Sequence, residues 1–197
     1  MGRQGQPVLL VLSGPSGVGK TTVAHRLMDA NGTLKRIVTC TTRAPRDGEQ
    51  DGVDYHFLDE SEFLERLGCG EFLEHAEVYG KYYGTLKSSV HDAFAAGHDI
   101  LIVNDVQGAL TLNKIIREDA VLGGALQTVF LVPEGVEELR KRLESRDEDD
   151  KKTIDERMEN AVAELKQQNK FDHVIVSGTR DEDYEQVQCV YEQAGNR

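Results

Sequence analysis

The chain has 197 residues, enough for one sizeable hydrophobic core, and we expect a single domain over residues 1–197. Its 35 acidic and 23 basic residues give a formal net charge of −12, so the overall field repels polyanions and anionic membranes. This balance disfavours nucleic acid and membranes as partners, and any phosphate-binding site must be local.

The amino-terminal segment has five consecutive apolar residues, at 8–12, which are too few for a signal peptide or a membrane span. The three cysteines, Cys40, Cys69 and Cys189, lie far apart and form no C-x-x-C pair. Such cysteines fit reduced thiols in the cytoplasm better than a disulfide framework or a zinc site. We therefore expect a cytoplasmic protein, and the choice between monomer and homodimer stays open.

The predicted core alternates between strands and helices. Four continuous apolar runs, typical of strands buried on both faces of a parallel sheet, occur at 8–12, 100–103, 129–132 and 174–176. A segment with helical periodicity follows each run, and the first such segment covers 19–30 and ends at Asn31. The pattern predicts an α/β fold in which a parallel sheet is flanked by helices, built from residues 7–37 and 87–197.

Two stretches interrupt this alternation. The first, at about 38–86, is rich in glycine, threonine, tyrosine and charge, and its alternating runs at 54–58 and 72–79 predict a small inserted sheet. The second, at 145–152, is charged and nearly free of apolar residues, as solvated loops usually are. The capping-box sequence TIDE at 153–156 predicts that a helix starts there.

A phosphate-binding sequence follows the first predicted strand. Residues 14–21, GPSGVGKT, match G-x-x-x-x-G-K-[ST] between a buried strand and a helix. The glycines let backbone N–H groups turn towards phosphate oxygens, and the helix N-terminus adds partial positive charge. Lys20 can reach the β- and γ-phosphates of a nucleotide, and the Thr21 hydroxyl can ligate Mg²⁺.

Switch GTPases share this loop, and two further matches in the chain fit them. Residues 105–108, DVQG, match their D-x-x-G, and residues 169–172, NKFD, match the N-K-x-D that selects guanine. The second match precedes the predicted strand at 174–176, whereas a base-binding motif belongs at the carboxyl end of a strand. A GTPase switch is therefore the weaker interpretation.

Two arginines in the predicted insertion are candidates for a second anion site. Arg43 and Arg46 lie three residues apart, with Tyr55 and Tyr83 farther along the chain. Guanidinium groups bind phosphate bidentately and tyrosine hydroxyls add donors, although two surface arginines taken alone are more often solvated than functional.

Five motifs resemble the guanylate kinase family, in its order and spacing, from about residue 8 to about residue 176. They are TTRAPR at 41–46, GVDY at 52–55, FLE at 72–74, YYG at 82–84 and DVQG at 105–108. The resemblance implies a P-loop fold with a small mixed α/β region for a nucleoside monophosphate at about 38–86 and a short helical lid at about 142–157. It also implies transfer of the terminal phosphoryl group of ATP to GMP, giving ADP and GDP, with Mg²⁺ as cofactor.

The resemblance further implies residue roles, with Lys20 on the ATP side and Thr21 and Asp105 at Mg²⁺. The ATP-binding residues would be Gly14, Pro15, Ser16, Gly17, Val18, Gly19, Lys20, Thr21 and Thr22. The GMP-binding residues would be Thr39, Arg43, Arg46, Tyr55, Glu74, Tyr83 and Thr85, with Glu74 and Thr85 at the guanine edge. Besides Lys20, the catalytic groups would be the lid arginines Arg142, Arg146 and Arg157. Because Arg142 and Arg146 are four residues apart, they could also simply occupy a helix face.

Four residues depart from the family's pattern. Val103 replaces a usually acidic residue and cannot accept a hydrogen bond from guanine. Asn104 replaces a usually apolar residue, and the sequence offers no reason for it. Ser177 and Gly178 stand where an asparagine often follows the last core strand, near the adenine.

A catalytically inactive guanylate-kinase-like module, with a peptide groove in place of the nucleotide site, is the second alternative. The complete loop at 14–21 and the full arginine set argue against it.

Overall fold

The computed structural model describes residues 7–78, 80–144 and 151–196, without the side chains of Arg142, Leu143, Lys151 and Lys152. Its strands are β1 (Leu9–Ser13), β2 (Leu34–Arg36), β3 (Cys40–Thr41), β4 (His56–Phe57), β5 (Phe72–Val78), β6 (Lys81–Leu86), β7 (Asp99–Val103), β8 (Leu126–Pro133) and β9 (His173–Ser177). Its α-helices are α1 (Lys20–Ala30), α2 (Glu60–Gly68), α3 (Lys87–Ala95), α4 (Val106–Glu118), α5 (Val136–Glu144), α6 (Lys151–Leu165) and α7 (Arg180–Gly195). Short 3₁₀ turns lie at Gly123–Ala125 and Gln168–Lys170.

The central sheet is parallel, with the strand order β2-β7-β1-β8-β9. Successive side chains of a strand point to opposite faces, and both faces of β1 are covered. Leu9 and Val11 pack into one hydrophobic core, and Leu10 and Leu12 pack into the other. This double burial explains the continuous apolar run and confirms the predicted fold class.

Helices cover the two faces of the central sheet. The core on one face includes Val90 of α3 and Leu112 of α4, and the core on the other face includes Leu27 of α1 and Val187 of α7. None of the helices in the described ranges is long and apolar enough to cross a membrane.

The chain leaves the carboxyl end of β1 and of β7 at adjacent points. The connection after β1 leads through α1 to β2 on one side, and the connection after β7 leads through α4 to β8 on the other side, so the strand order reverses between β1 and β7 and makes a topological switch point there. Open parallel sheets bind ligands in the crevice outside the strand ends at such a point. The loop 14–19 and the segment 104–105 therefore meet at the place where a ligand site is expected.

A second sheet, with the order β4-β3-β6-β5, lies within residues 38–86. Its β3–β4 pair is parallel, and its β3–β6 and β5–β6 pairs are antiparallel. Phe63 of α2 stacks on Phe72 of β5 with ring centroids 4.4 Å apart, over the buried Cys40. A Cβ on Gly84 would lie 2.7 Å from the Phe72 ring, so this packing needs a glycine in β6.

Helices α5 and α6 form a small hydrophobic cluster through Leu139, Ile154, Met158 and Ala161. The predicted start of a helix at the capping-box sequence was wrong, because α6 already includes Lys151 and Thr153 lies inside its first turn. The boundaries of the insertion and of the lid, as separate units, remain predictions.

Candidate active site

A cavity of about 360 Å³ lies at the carboxyl edge of the central sheet, on the side facing the second sheet. Its wall is formed by the loop after β1, by residues of the second sheet, by the segment after β7 and by one side of α6. The two nucleotide-binding regions predicted from the sequence therefore share one cavity.

The loop after β1 contributes Gly14, Ser16, Lys20 and Thr21 to the cavity wall. Gly14 has a φ of +143°, and a Cβ there would lie 2.4 Å from the carbonyl oxygen of Leu131, so a larger residue would be strained. Lys20 Nζ donates hydrogen bonds to the carbonyl oxygens of Gly14, at 2.5 Å, and of Pro15, at 3.0 Å. The lysine is thus held across the opening of the loop.

The remaining loop residues shape the turn and are not part of the wall. Gly19 caps α1 with a φ of +113°, Gly17 has a φ of +87°, and Val18 is fully buried. Thr22, in the first turn of α1, is exposed.

A second group of polar side chains faces the loop from the second sheet. The wall on this side includes Thr39, Arg43, Arg46, Tyr55 and Tyr83. The guanidinium carbon of Arg43 lies 5.4 Å from the centroid of the Tyr55 ring, and Tyr83 meets Tyr55 edge-on at 6.1 Å. Two arginines and two tyrosines therefore converge as donors for an anion.

Glu49, which the sequence did not suggest, binds the Arg43 side chain and the Arg46 backbone. Arg43 Nη2 donates to Oε1 and Oε2 of Glu49 at 2.9 and 3.0 Å, and the Arg46 backbone N–H donates to Oε2 at 2.8 Å. Burial would raise the pKa of Glu49, but these hydrogen bonds bring the pKa below its ordinary value. Glu49 is therefore ionised and fixes the Arg43 fork.

Glu74 and Thr85, predicted at the guanine edge, lie behind the cavity wall rather than on it. Thr85 Oγ1 donates to Glu74 Oε1 at 2.7 Å, and Asn104 Nδ2 donates to the same oxygen at 2.9 Å. Burial raises the pKa of Glu74 to about 7, against the lowering effect of the two hydrogen bonds, and the charge of Asp105 adds to the rise. Asn104 itself lines the cavity.

Thr21 and Asp105 both line the cavity, which is what a shared metal ion requires. Asp105 caps α4, because its Oδ1 accepts a hydrogen bond from the Gly108 N–H at 3.0 Å. Hydroxyl and carboxylate oxygens suit Mg²⁺, which usually binds one or two protein ligands together with phosphates and water. The described part of the chain contains no group of three or more acidic, histidine or cysteine side chains placed to hold a metal.

One side of α6 completes the wall with Thr153, Arg157 and Glu164. Their spacing of four and seven residues places them on a single helix face. Of the predicted lid arginines, only Arg157 can be located, because the side chain of Arg142 and the whole of Arg146 lie outside the described residues.

The sequence did not suggest Thr153, Glu164, Val78 or Lys81 as parts of the site. Burial raises the pKa of Glu164 to about 7; nearby Lys20 lowers it and Asp105 raises it. Glu164 therefore lies within electrostatic reach of both the loop lysine and the candidate metal ligand.

The N-K-x-D match at 169–172 has a structural role. Asp172 forms an ion pair with Arg117 at 2.6 Å and accepts hydrogen bonds from the backbone and side chain of Thr128. It precedes β9, at the opposite end of the strand from the cavity.

The unusual pair Ser177 and Gly178, at the end of β9, joins the phosphate loop to α7. Ser177 is buried; its hydroxyl donates to Asp183 at 2.7 Å and lies 3.5 Å from the carbonyl oxygen of Val18. The Gly178 N–H donates to the same carboxylate at 2.9 Å.

Comparison with known proteins gives a consistent family. A model of the guanylate kinase family matches residues 6–194. The chain is 44% identical over 169 residues to a guanylate kinase of Chlorobaculum tepidum, covering 86% of this chain and 84% of the relative. It is 40% identical over 187 residues to a guanylate kinase of Ruegeria sp., covering 95% and 84%. The crystal structure of a guanylate kinase from Anaplasma phagocytophilum superposes with a TM-score of 0.80 at 32% identity, covering 98% of this chain and 88% of that one.

Proposed function

This chain belongs to the guanylate kinase family, and we propose that it transfers the terminal phosphoryl group of ATP to GMP, giving ADP and GDP. The proposal rests on one observation: the loop after β1 lines the same cavity as the side of the second sheet that carries Arg43 and Tyr83. A donor phosphate at the loop and an acceptor phosphate at the arginines would then approach each other across a shared space.

Phosphoryl transfer needs alignment and charge neutralisation more than a strong base, because the transition state is loose. Lys20 and the amino end of α1 would bind the donor phosphates, and Arg157 would face them from α6. Arg43, Arg46, Tyr55 and Tyr83 would hold the GMP phosphate in line for attack. Thr39, buried in the same wall, would add a hydroxyl donor.

We assign Thr21 and Asp105 to the Mg²⁺ site. When bound there with ATP, Mg²⁺ supplies positive charge to the β- and γ-phosphates. Asp105 also caps α4, so its carboxylate is held in position before a metal ion binds.

Lys20 Nζ donates to the carbonyl oxygens of Gly14 and Pro15, which are neutral acceptors. On ATP binding, Lys20 would exchange them for phosphate oxygens, which carry negative charge and pair more strongly with an ammonium group. The loop lysine would therefore move when ATP binds.

Two features support a cytoplasmic enzyme acting on small molecules. The net charge of −12 disfavours polyanionic partners, and the three cysteines are free thiols. Monomer and homodimer both remain compatible with the proposal.

A coupled assay of ADP formation tests the proposal, with ATP and each of GMP, AMP, CMP and UMP as acceptor. ADP formation that depends on GMP is the expected result. Hydrolysis of GTP without an acceptor would instead indicate a GTPase switch. No turnover in either assay, despite nucleotide binding, would indicate an inactive binding module.

A further inference from the structure

The cavity wall presents Asn104 where the base-contacting residues were expected. Glu74 and Thr85 are 4% and 0% exposed, and Asn104, bound to Glu74, is the neighbour that lines the cavity. We propose that Asn104 is a positioning residue of the base site, which fixes the Glu74 carboxylate for guanine. This inference rests on the proposed function, since it concerns the GMP side of the same cavity.

The orientation of the Asn104 amide is determined at both ends. Nδ2 donates to Glu74 Oε1 at 2.9 Å, and Oδ1 accepts from the Asp105 backbone N–H at 3.1 Å. A flipped amide would place Oδ1 against a carboxylate and Nδ2 against an N–H group, so both contacts would become repulsive. The Asn104 backbone N–H also donates to Leu12 at 3.1 Å, which ties the residue to the central sheet.

A glycine in the first turn of α4 makes room for this side chain. A Cβ on Gly108 would lie 2.6 Å from Asn104 Nδ2 and 2.9 Å from its Cγ and Oδ1. Gly108 is therefore needed for the observed position of the amide, and an alanine there would displace Asn104 without removing any hydrogen-bonding group.

The two donors to Glu74 converge on one oxygen. Thr85 on β6 and Asn104 after β7 both bind Oε1, and Oε2 receives neither bond. Guanine offers N1–H and the 2-amino group as donors, so only an ionised carboxylate can serve it fully. Asn104 thus orients the acceptor and also favours its charged form.

The charges around Glu74 explain why its carboxylate needs the Asn104 amide as a second hydrogen-bond donor. Glu74 is buried, and Asp105 at the start of α4 adds a negative charge that opposes ionisation of Glu74. The opposing groups are the Thr85 hydroxyl and backbone N–H on β6 and the Asn104 amide. Loss of the amide should raise the pKa of Glu74, so that GMP binding would need a higher pH.

The experiment measures kcat and KM for GMP and ATP from pH 6 to 9 in the wild type, Asn104→Leu and Gly108→Ala. We expect the KM for GMP at pH 7 to rise about tenfold in both variants, the factor that one hydrogen bond to a charged group supplies. The acid limb of kcat/KM for GMP should move to higher pH, and the KM for ATP should stay near the wild-type value. Asn113→Leu, which removes an amide from α4 outside the cavity wall, is the matched control.

The outcomes separate this inference from the proposed function. If the wild type is active with GMP but Asn104→Leu lowers kcat/KM equally at every pH, or not at all, the positioning role is wrong and the function stands. If the wild type forms no ADP with GMP, the function itself is wrong. Should Asn104→Leu fail to fold, Gly108→Ala decides alone, because it changes no polar group.

Discussion

Arg43 offers the sharpest test of which part of the cavity binds the acceptor. Its Nη2 donates to both oxygens of Glu49, and its Nη1 donates to the Ala44 carbonyl oxygen at 2.7 Å. A guanidinium has five N–H donors, so further N–H groups of Arg43 can bind a phosphate oxygen while Glu49 holds the fork in place. Arg43→Ala would remove a donor group that is already oriented.

The expected size of the Arg43→Ala effect on GMP binding follows from the type of hydrogen bond lost. One or two charge-assisted hydrogen bonds contribute about 1.5–3 kcal/mol, so the KM for GMP should rise about 10- to 100-fold. The kcat should fall as well, because a loosely held phosphate is misaligned for in-line attack. The KM for ATP should change less than about twofold, since the triphosphate would bind at the loop after β1.

The variant also leaves the half-buried Glu49 carboxylate without its main partner. We expect a loss of about 1 kcal/mol in the free energy of unfolding, reduced from the value for a fully buried pair because water reaches both side chains. The double variant Arg43→Ala/Glu49→Gln should regain that stability and keep the raised KM for GMP.

Initial-rate kinetics with GMP and ATP varied in turn give both constants, with urea unfolding as a check on stability. Arg66→Ala is the matched control, because Arg66 of α2 pairs with Glu62 and is not part of the cavity wall. A rise in the KM for ATP with an unchanged KM for GMP would mean that the two nucleotide sites are reversed. Recovery of the KM for GMP in the double variant would mean that Glu49, not the phosphate contact, causes the effect.

Lys20→Ala should lower kcat by at least about two orders of magnitude, as loss of a preorganised transition-state donor does, and a near-normal kcat in single-turnover assays would contradict that role. Gly14→Ala should lower the free energy of unfolding by about 1–3 kcal/mol because of its φ of +143° and the nearby Leu131 carbonyl, whereas Gly32→Ala, with open space around it, should change little in urea unfolding. The pKa of Glu164 is about 7 in the folded protein against an ordinary 4.5, so the folded state loses stability as pH rises through this window. Glu164→Gln should therefore raise the free energy of unfolding by roughly 1–2 kcal/mol at pH 8 and have little effect near pH 5; equal effects at both pH values would refute the assignment.

Two of the strands that the sequence predicted correctly, β1 and β7, are buried on both faces. The run at 174–176 also forms a strand, but the expected burial on both faces was wrong there, because β9 lies at the sheet edge and Val174 and Val176 are 43% and 58% exposed. The runs at 8–12 and 100–103 have no polar interruption, because helices cover them on either side. Strand β2, Leu34–Arg36, was missed, since it is an edge strand with one buried apolar residue and gives no periodic signal. Burial on two faces leaves a pattern in the sequence, and a short edge pairing does not.

The candidate site shows the same limit for side chains. Residues 14–21 are contiguous, so their spacing alone predicts a phosphate loop. Glu49, Asn104 and Glu164 gain their importance from neighbours brought together by folding, such as the contact of Asn104 with Glu74, 30 residues away in the chain. A single buried hydrogen bond of this kind has no local sequence pattern, and the sequence could mark Asn104 only as unusual.

The boldest prediction from the sequence and the structure together concerns Val103. Its half-buried side chain lines the cavity beside Asn104, whose Nδ2 and Oδ1 already bind Glu74 and the Asp105 N–H. The 2-amino group of guanine has two N–H bonds, and Glu74 can accept only one of them together with N1–H. The other lacks the acceptor that an acidic residue at 103 would provide, so the enzyme should prefer GMP over AMP but discriminate weakly against IMP, which lacks that group. Val103→Glu should raise the ratio of kcat/KM for GMP to that for IMP by a factor equivalent to about 1–3 kcal/mol of transition-state free energy. The neutral Val103→Gln should raise it by less. An unchanged ratio in Val103→Glu would show that residue 103 does not face the base.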